Sequence, residues 1–274
     1  MIPILTAADW FFLPGLMTLF YSLREHSKLS DNQQIIVIEF EPFTNDDRGK
    51  LSAFGYDIKF VDIREFGDYS EIMLDPFQIG MPQKASMYWR SLMRKTLIFR
   101  LKLEKLVWLD ADLLCLGDIR AIFDMPHLSL CHDWGMKPPQ DVMGNPMVNT
   151  GVMVISPEEE DFIGLQKTLH TKDEEMSKYG VGGDQPVINW YFYGEKPDKV
   201  NVIHQRWNIL KHIYTTNSGL FTDCWKDPKF VHYVSIKPWV YSEEMPCPEK
   251  DVFLKDKWMD YFKEAKKIVR GGKR

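Results

Sequence analysis

Apolar and polar residues along the first half of the chain fall into two kinds of block. Short runs rich in Ile, Val and Leu, at Ile2–Leu5, Gln34–Phe40, Asp57–Val61 and Lys105–Leu109, have the length and β-branched content of strands. Longer segments with helical spacing lie between them. Pro14 to His26 reads as a helix with proline in its first turn. Thr44 or Asn45 can cap a second helix running to Phe54. Ser86 to Arg100 reads as a third helix carrying Arg90, Arg94 and Lys95, with Arg90 and Arg94 four apart on one face. Thr6-Ala7-Ala8-Asp9 reads as a small-residue turn after the first strand. Strands that alternate with helices predict an α/β fold with a parallel-type sheet and crossover helices.

The second half is patterned differently. Leu128–His132 and Val148–Ile155 are strand-like, and Glu158–Lys178 is a polar, amphipathic helix. Gly182-Gly183-Asp184-Gln185-Pro186 opens another helix through Trp190. His204–Leu220 reads as an irregular loop, Phe230–Val234 as a late strand and Lys255–Val269 as a terminal helix. No composition break or low-complexity linker divides the chain. It reads as one domain over residues 1–240, with residues 241–274 a C-terminal extension that carries the terminal helix and belongs to the same domain.

Composition narrows the function classes. The 274 residues are 45% hydrophobic and 27% charged, as in ordinary globular proteins. A net charge of −5 argues against nonspecific nucleic-acid binding. The basic residues near the end (Lys263, Lys266, Lys267, Arg270, Lys273, Arg274) fit a solvated helix end. Cys115, Cys131, Cys224 and Cys247 form no C-x-x-C pair, which points to a reduced, intracellular protein. The uncharged run Trp10–Leu23 is too short for a membrane span and contains Pro14 and Gly15. The expectation is a cytoplasmic protein without nucleic-acid or membrane partners.

The candidate chemistry begins where the Lys105–Leu109 strand ends in Asp110-Ala111-Asp112. Residues i and i+2 of a strand share a face, and two adjacent carboxylates repel unless a cation lies between them. Hard divalent ions take oxygen ligands and share their open positions with phosphates. A metal–diphosphate site and a solvated polar strand end are both compatible with this motif alone. In open α/β sheets ligands bind beyond the carboxyl ends of strands, where Thr6–Asp9 and Asp110–Asp112 can meet around one ligand. Asn149-Thr150-Gly151 before an apolar strand reads as a turn, or as an amide and a hydroxyl for sugar hydroxyls. Asp184 after two glycines reads as a helix cap, or as a pocket carboxylate beside the Gln185 amide. His232, followed by Lys237-Pro238-Trp239, offers a metal ligand and a phosphate-neutralising cation.

These four pieces, in this order, resemble glycosyltransferase family 8, especially its glycogenin-like branch. That branch carries Asp-x-Asp, Asn-Ser-Gly-Val, Gly-Gly-Asp-Gln and His-x-x-Gly with Lys-Pro-Trp. Here they stand as Asp110-Ala111-Asp112, Asn149-Thr150-Gly151-Val152, Gly182-Gly183-Asp184-Gln185 and His232 through Trp239. The resemblance covers about Ile2 to Trp239. It implies a GT-A fold, a single Rossmann-like nucleotide-sugar-binding domain with a mixed sheet. It also implies a UDP-sugar donor, Mn²⁺ (or Mg²⁺) as cofactor and retention of α-configuration. Carried over, Asp110, Asp112 and His232 are the metal ligands and Lys237 the diphosphate clamp. Leu5, Thr6, Ala7 and Ala8 receive the uridine, Ala111 faces the ribose, and Arg94 is a basic donor-binding residue, with Arg90 one turn earlier. Asn149, Thr150, Gly151 and Gly183 line the donor sugar, with Asp184 and Gln185 at its reacting side as the catalytic candidates.

Ser235 stands where the branch has its phosphate-loop glycine, and Val181 where animal glycogenins carry aspartate. The resemblance implies a hexosyltransferase, galactose before glucose, acting on a glycan acceptor. It extends to the cytoplasmic members that cap the glycan of Skp1, a ubiquitin-ligase adaptor. Glycogenin-type self-glucosylation, with Tyr214 near the self-acceptor loop, is the second expectation, and a non-catalytic UDP-sugar sensor the third. The oligomeric state is left open, a homodimer included.

Overall fold

The computed structural model describes residues 1–66, 94–133, 147–171 and 184–271. Three parallel strands open the chain: β1 (Ile4–Ala8), β2 (Gln34–Glu39) and β3 (Asp57–Asp62). Helix α1 (Leu13–His26) crosses from β1 to β2, and α2 (Asn45–Ser52) crosses from β2 to β3. Pro14 lies in the first turn of α1. Thr44 caps α2 by accepting from the Asp47 N–H at 3.2 Å. A 3₁₀ helix over Arg94–Arg100 leads into β4 (Leu106–Leu109), which pairs parallel with β1.

Beyond β4 the direction changes. The strands β6 (Ser129–His132), β7 (Val148–Ile155) and β8 (Asn201–Val202) complete a seven-stranded sheet of order β3-β2-β1-β4-β7-β6-β8. β7 is antiparallel to both β4 and β6, so the sheet is mixed. A second sheet of three strands joins β5 (Leu113–Cys115), β9 (Ile209–Leu210) and β10 (Phe230–His232), in the order β5-β10-β9. Among the described residues the remaining α-helices are α3 (Glu159–Thr171), α4 (Asp184–Glu195), α5 (Ile213–Thr216), α6 (Ser218–Cys224) and α7 (Val252–Gly271). No described helix is long and apolar enough to cross a membrane.

Strand periodicity divides the core. Ile4 and Ala8 of β1 face a cluster built with Leu16, Leu19, Phe20 and Leu23 of α1 and Ala265 of α7. Leu5 and Ala7 face the opposite cluster, with Leu97 to Phe99, Leu165 of α3 and Ile188 and Phe192 of α4. A third cluster under the small sheet unites Ile209, Val231, Tyr233 and Trp258. The terminal helix is anchored there: the Tyr233 hydroxyl donates to the Leu254 carbonyl at 2.8 Å.

Four readings of the sequence change. Thr6 to Ala8 is strand rather than turn, because its pairing continues through Ala8 opposite Glu39. Its small residues are buried, so they mark tight packing rather than a bend. Asn149 to Gly151 likewise lies inside β7 rather than before it. Residues 94–100 form a tighter helix than expected, and the preceding residues 86–93, with Arg90, lie outside the described residues. The segment His204–Leu220 holds β9, α5 and the start of α6, elements too short for a periodicity to show.

One ion cluster ties α3 to the loop after α4. Asp161, fully buried, accepts from Lys196 at 2.7 Å, Lys199 at 3.2 Å and Tyr191 Oη at 3.1 Å. Burial pushes its pKa up, but His127, Lys196 and Lys199 outweigh it and hold the carboxyl well below its ordinary value. A folded pKa below the unfolded one stabilises above about pH 4, and the benefit fades as pH falls through the folded value. Asp161→Asn is therefore expected to cost about 2 kcal/mol near neutrality, since the two lysines keep other partners and water. Urea unfolding at pH 7 and pH 3 checks this; a cost that does not shrink at pH 3 contradicts it.

Candidate active site

The site forms where the two sheets meet, at the carboxyl ends of β1 and β4. Antiparallel pairing of β7 with β4 sets Val152 opposite Leu109, and the Asp110 N–H donates to the Gly151 carbonyl at 2.8 Å. This brings Asn149-Thr150-Gly151 beside the aspartates. β5 leaves Asp112 at once and pairs with β10, which sets His232 opposite Leu113; the Tyr233 N–H donates to the Asp112 carbonyl at 3.0 Å. Two short β ladders thus fix the backbones of all three candidate ligands.

Gly15, in the first turn of α1, is required by this crossing. A Cβ there would lie 2.4 Å from the Ala111 carbonyl oxygen and 2.9 Å from the Trp239 ring. Its absence lets the positive end of the helix dipole approach the Asp-Ala-Asp turn.

Asp110, Asp112 and His232 each offer one ligand atom, and these atoms lie within 4.8 Å of one another. His232 Nε2 is 3.2 Å from Asp112 Oδ1 and 3.7 Å from Asp110 Oδ2. Asp112 and His232 are buried and Asp110 remains partly open. Two carboxylate oxygens and one imidazole nitrogen, with one side accessible, fit a divalent ion of the Mn²⁺ or Mg²⁺ type that keeps open positions.

Two ammonium groups flank this trio. Lys237 forms an ion pair with Asp112 Oδ2 and donates to the Tyr233 carbonyl at 3.1 Å. Burial raises the Asp112 pKa, yet Lys237 and His232 together drive it far below the usual carboxylate range. The loop between His232 and Lys237 turns at Ser235, whose φ of +64° is left-handed. Serine therefore adopts the backbone conformation that glycine takes without strain. Lys211 braces the same loop by donating to the Ile236 carbonyl at 2.8 Å.

The second ammonium belongs to Lys95. It lies 2.9 Å from Asp110 Oδ1, 3.2 Å from Asp184 Oδ2 and 3.0 Å from the Thr150 carbonyl. Burial lowers its basicity, but Asp110 and Asp184 more than compensate, so the net shift is upward and the group stays charged. Trp108 Nε1 donates to Asp110 Oδ1 at 2.7 Å, which fixes the more exposed aspartate from below.

Asp184 opens α4 and accepts from Thr150 Oγ1 at 2.7 Å. The amide of Gln185 accepts from Asn149 Nδ2 at 3.1 Å and donates to Asp133 Oδ2 at 2.9 Å. Asn149, Thr150, Gly151, Asp184 and Gln185 are therefore joined in one hydrogen-bonded group beside the trio. Leu5, Ala7 and Ala8 are buried at the end of β1, and the Thr6 hydroxyl is buried without a hydrogen-bond partner among the described residues. Ala111 is buried against Gly15. Arg94 begins the 3₁₀ helix next to Lys95. Val181, Gly182 and Gly183 lie outside the described residues.

The sequence reading missed Lys95, Trp108, Asp133 and Asn208 as members of this site. Lys95 had a usable signal, a second basic residue on the segment before the aspartates. Asp133 and Asn208 stand in no motif, and only the fold brings them in.

Comparison with known proteins agrees with this architecture. The family model for glycosyl transferase family 8 matches residues 3–243. A glycogenin of Cryptococcus neoformans is 27% identical over 91% of this chain and 27% of its own length. Glycogenin-1 of Mus musculus is 25% identical over 84% of this chain and 63% of its own. UDP-glucuronate:xylan alpha-glucuronosyltransferase 2 of Arabidopsis thaliana is 27% identical over 53% of this chain and 22% of its own. The chain thus spans between about a fifth and just under two thirds of these relatives. Among solved structures, the galactosyltransferase LgtC bound to donor and acceptor sugar analogs superposes with a TM-score of 0.65 at 18% identity, covering 96% of both chains. The bifunctional glycosyltransferase WbbM gives 0.66 at 17% identity, over 95% of this chain and 49% of its own. The strand order, the paired aspartates at the end of β4 and the family match agree: this chain belongs to glycosyl transferase family 8 and has a GT-A fold.

Proposed function

We propose that the protein is a UDP-sugar-dependent hexosyltransferase that uses a divalent ion, Mn²⁺ by preference, and transfers its sugar to a glycan acceptor with retention of α-configuration. The observation that carries this reading is the Asp110–Asp112–His232 trio at the strand ends, with Lys237 and Lys95 on its two sides. Carboxylates gathered around a cation site, with an ammonium group on either side, suit a diphosphate that must leave with its charge neutralised.

Asp110, Asp112 and His232 would hold the divalent ion, which would supply Lewis-acid stabilisation of the departing diphosphate. Lys237 adds a fixed positive charge on the same side. Asn149, Thr150 and Gln185 offer neutral donors and acceptors that suit the hydroxyls of the donor sugar. Asp184 is held by Thr150 and Lys95 in a fixed orientation, which favours a role in gripping hydroxyls over one as a free nucleophile. Retention then follows a front-face course. The C1–O bond breaks first, the acceptor hydroxyl attacks from the face that UDP leaves, and a phosphate oxygen takes its proton. A glycosyl adduct trapped on Asp184 of the wild-type protein would instead support double displacement.

Galactose is the donor sugar we favour and glucose the next. The proposed acceptor is a glycan on a cytoplasmic glycoprotein, that of Skp1 being the first candidate. A homodimer is the assembly to test alongside. The glycogenins among the relatives favour a second reading, self-glucosylation. Against it, the Tyr214 ring packs between Phe221 and Phe253, with centroids 4.8 and 5.4 Å away.

UDP release with Mn²⁺ should be compared for UDP-galactose, UDP-glucose, UDP-xylose and UDP-glucuronate, with and without a glucoside acceptor, together with intact mass. Turnover favouring UDP-galactose at constant protein mass supports the proposal. Hexose increments on the protein that Tyr214→Phe removes would favour self-glucosylation. Binding of UDP-sugars without turnover of any would overturn the enzymatic reading in favour of a sensor.

A further inference from the structure

A chain of amides, buried from Asn149 onward, crosses the site from the candidate sugar pocket to His232, and the direction of every hydrogen bond in it is determined. At one end Asp133, a carboxylate, can only accept, so the 2.9 Å contact from Gln185 identifies the Gln185 nitrogen as donor. Gln185 Oε1 is then the acceptor for Asn149 Nδ2 at 3.1 Å and for the Thr150 N–H at 3.4 Å. The backbone N–H of Gly151 can only donate, and it reaches Asn149 Oδ1 at 2.9 Å. The same oxygen accepts from Asn208 Nδ2 at 2.7 Å. Asn208 therefore has only its carbonyl oxygen left to offer, and this oxygen lies 3.1 Å from His232 Nδ1. An amide oxygen cannot donate, so Nδ1 must carry the proton. Asn208 is fully buried and His232 nearly so, which excludes water as a competitor.

We infer that Asn208 is a positioning residue for the metal site: it holds the His232 ring with Nδ1 protonated, so that the Nε2 lone pair is the one offered to the ion beside Asp110 and Asp112. The inference rests on the proposed metal site and adds the element that orients its nitrogen ligand. A metal-bound imidazole generally donates its other N–H to such an acceptor, and loss of that partner weakens metal binding by about 10–100-fold. The chain also joins Asn149 and Gln185, the candidate sugar-facing amides, to the metal ligand without a break.

The test uses the full chain as wild type, Asn208→Leu and Asn208→Asp. Leucine removes the acceptor at similar volume; aspartate keeps an acceptor for Nδ1–H but replaces the donor to Asn149 Oδ1 with a second oxygen. Calorimetric titration with Mn²⁺ alone should show Asn208→Leu weakened by about 10–100-fold and Asn208→Asp weakened clearly less. In metal-free ¹H–¹⁵N spectra the wild type should show an exchange-protected imidazole N–H from His232, which Asn208→Leu loses and Asn208→Asp retains. Thermal unfolding without metal distinguishes a local effect from a misfolded variant. Equal Mn²⁺ affinity in wild type and Asn208→Leu, or equal losses in the leucine and aspartate variants, would overturn the inference. A wild type that binds no Mn²⁺ yet keeps the protected N–H would overturn the metal reading itself while upholding the orientation of the ring.

Discussion

Asp112→Asn is expected to lower kcat/KM for UDP-sugar turnover by about 10³-fold or more while leaving the fold in place. Asp112 contributes to the site twice. One carboxylate oxygen faces His232 Nε2 at 3.2 Å, and the other pairs with Lys237. Asparagine keeps the shape and the backbone pairing to Tyr233 but presents a neutral amide to both. The charge that draws a cation between Asp110 and His232 is then halved, and Lys237 loses the partner that holds it at the rim. Lys237 and His232 keep Asp112 ionised far below neutrality in the wild type, whereas an asparagine amide does not ionise, so raising the pH cannot restore the lost charge in the variant. UDP release under saturating Mn²⁺, with thermal unfolding as control, measures the effect. A loss below about tenfold, equivalent to roughly 1.4 kcal/mol, would be too small for a direct ligand.

The second large effect comes from a residue without a side chain. A Cβ at Gly151 would lie 2.2 Å from His232 Cε1 and 2.4 Å from Nδ1, and 3.0 Å from Asn149 Oδ1. The imidazole is buried against β7 and cannot retreat without leaving Asn208 or the aspartates. Gly151→Ala is therefore expected to raise the Mn²⁺ concentration for half-maximal turnover by about 10–100-fold, as loss of ligand orientation does elsewhere. Overpacking should cost a further 1–3 kcal/mol or about that in stability. Titrating Mn²⁺ against turnover distinguishes the two effects: excess metal should recover part of the activity of a folded variant. An unchanged Mn²⁺ requirement would show that His232 is not held where the metal needs it.

Much of the architecture could be read from the sequence because it is written in local patterns. The Ile/Val-rich runs at β2 and β4 and the proline at the start of α1 are such signals, and their elements lie within a few residues of expectation. The fold class and the family followed from four ordered motifs. What escaped was determined by tertiary packing. Thr6-Ala7-Ala8 looks like a turn because its residues are small, yet they are small because the sheet is covered there. Asn149-Thr150-Gly151 looks like a turn because it is polar, yet it is a buried strand whose polar groups are satisfied by Asp133, Asp184, Gln185 and Asn208. The resemblance offers Arg94 as the basic donor-binding residue before the aspartates. The segment winds as a 3₁₀ helix with three residues per turn, and it is Lys95 whose ammonium meets Asp110. Asn208 acts through a contact 59 residues away in sequence, for which no spacing rule exists.

The account turns on whether Asp110, Asp112 and His232 hold an ion that in turn holds the donor diphosphate. Calorimetric titration of UDP into the wild-type protein and into Asp112→Asn, each with Mn²⁺ and with EDTA, tests this most directly. The account predicts UDP binding by the wild type that tightens at least about tenfold with Mn²⁺ and loses that gain in Asp112→Asn. Wild-type affinity for UDP that is the same in EDTA as in Mn²⁺ would contradict it.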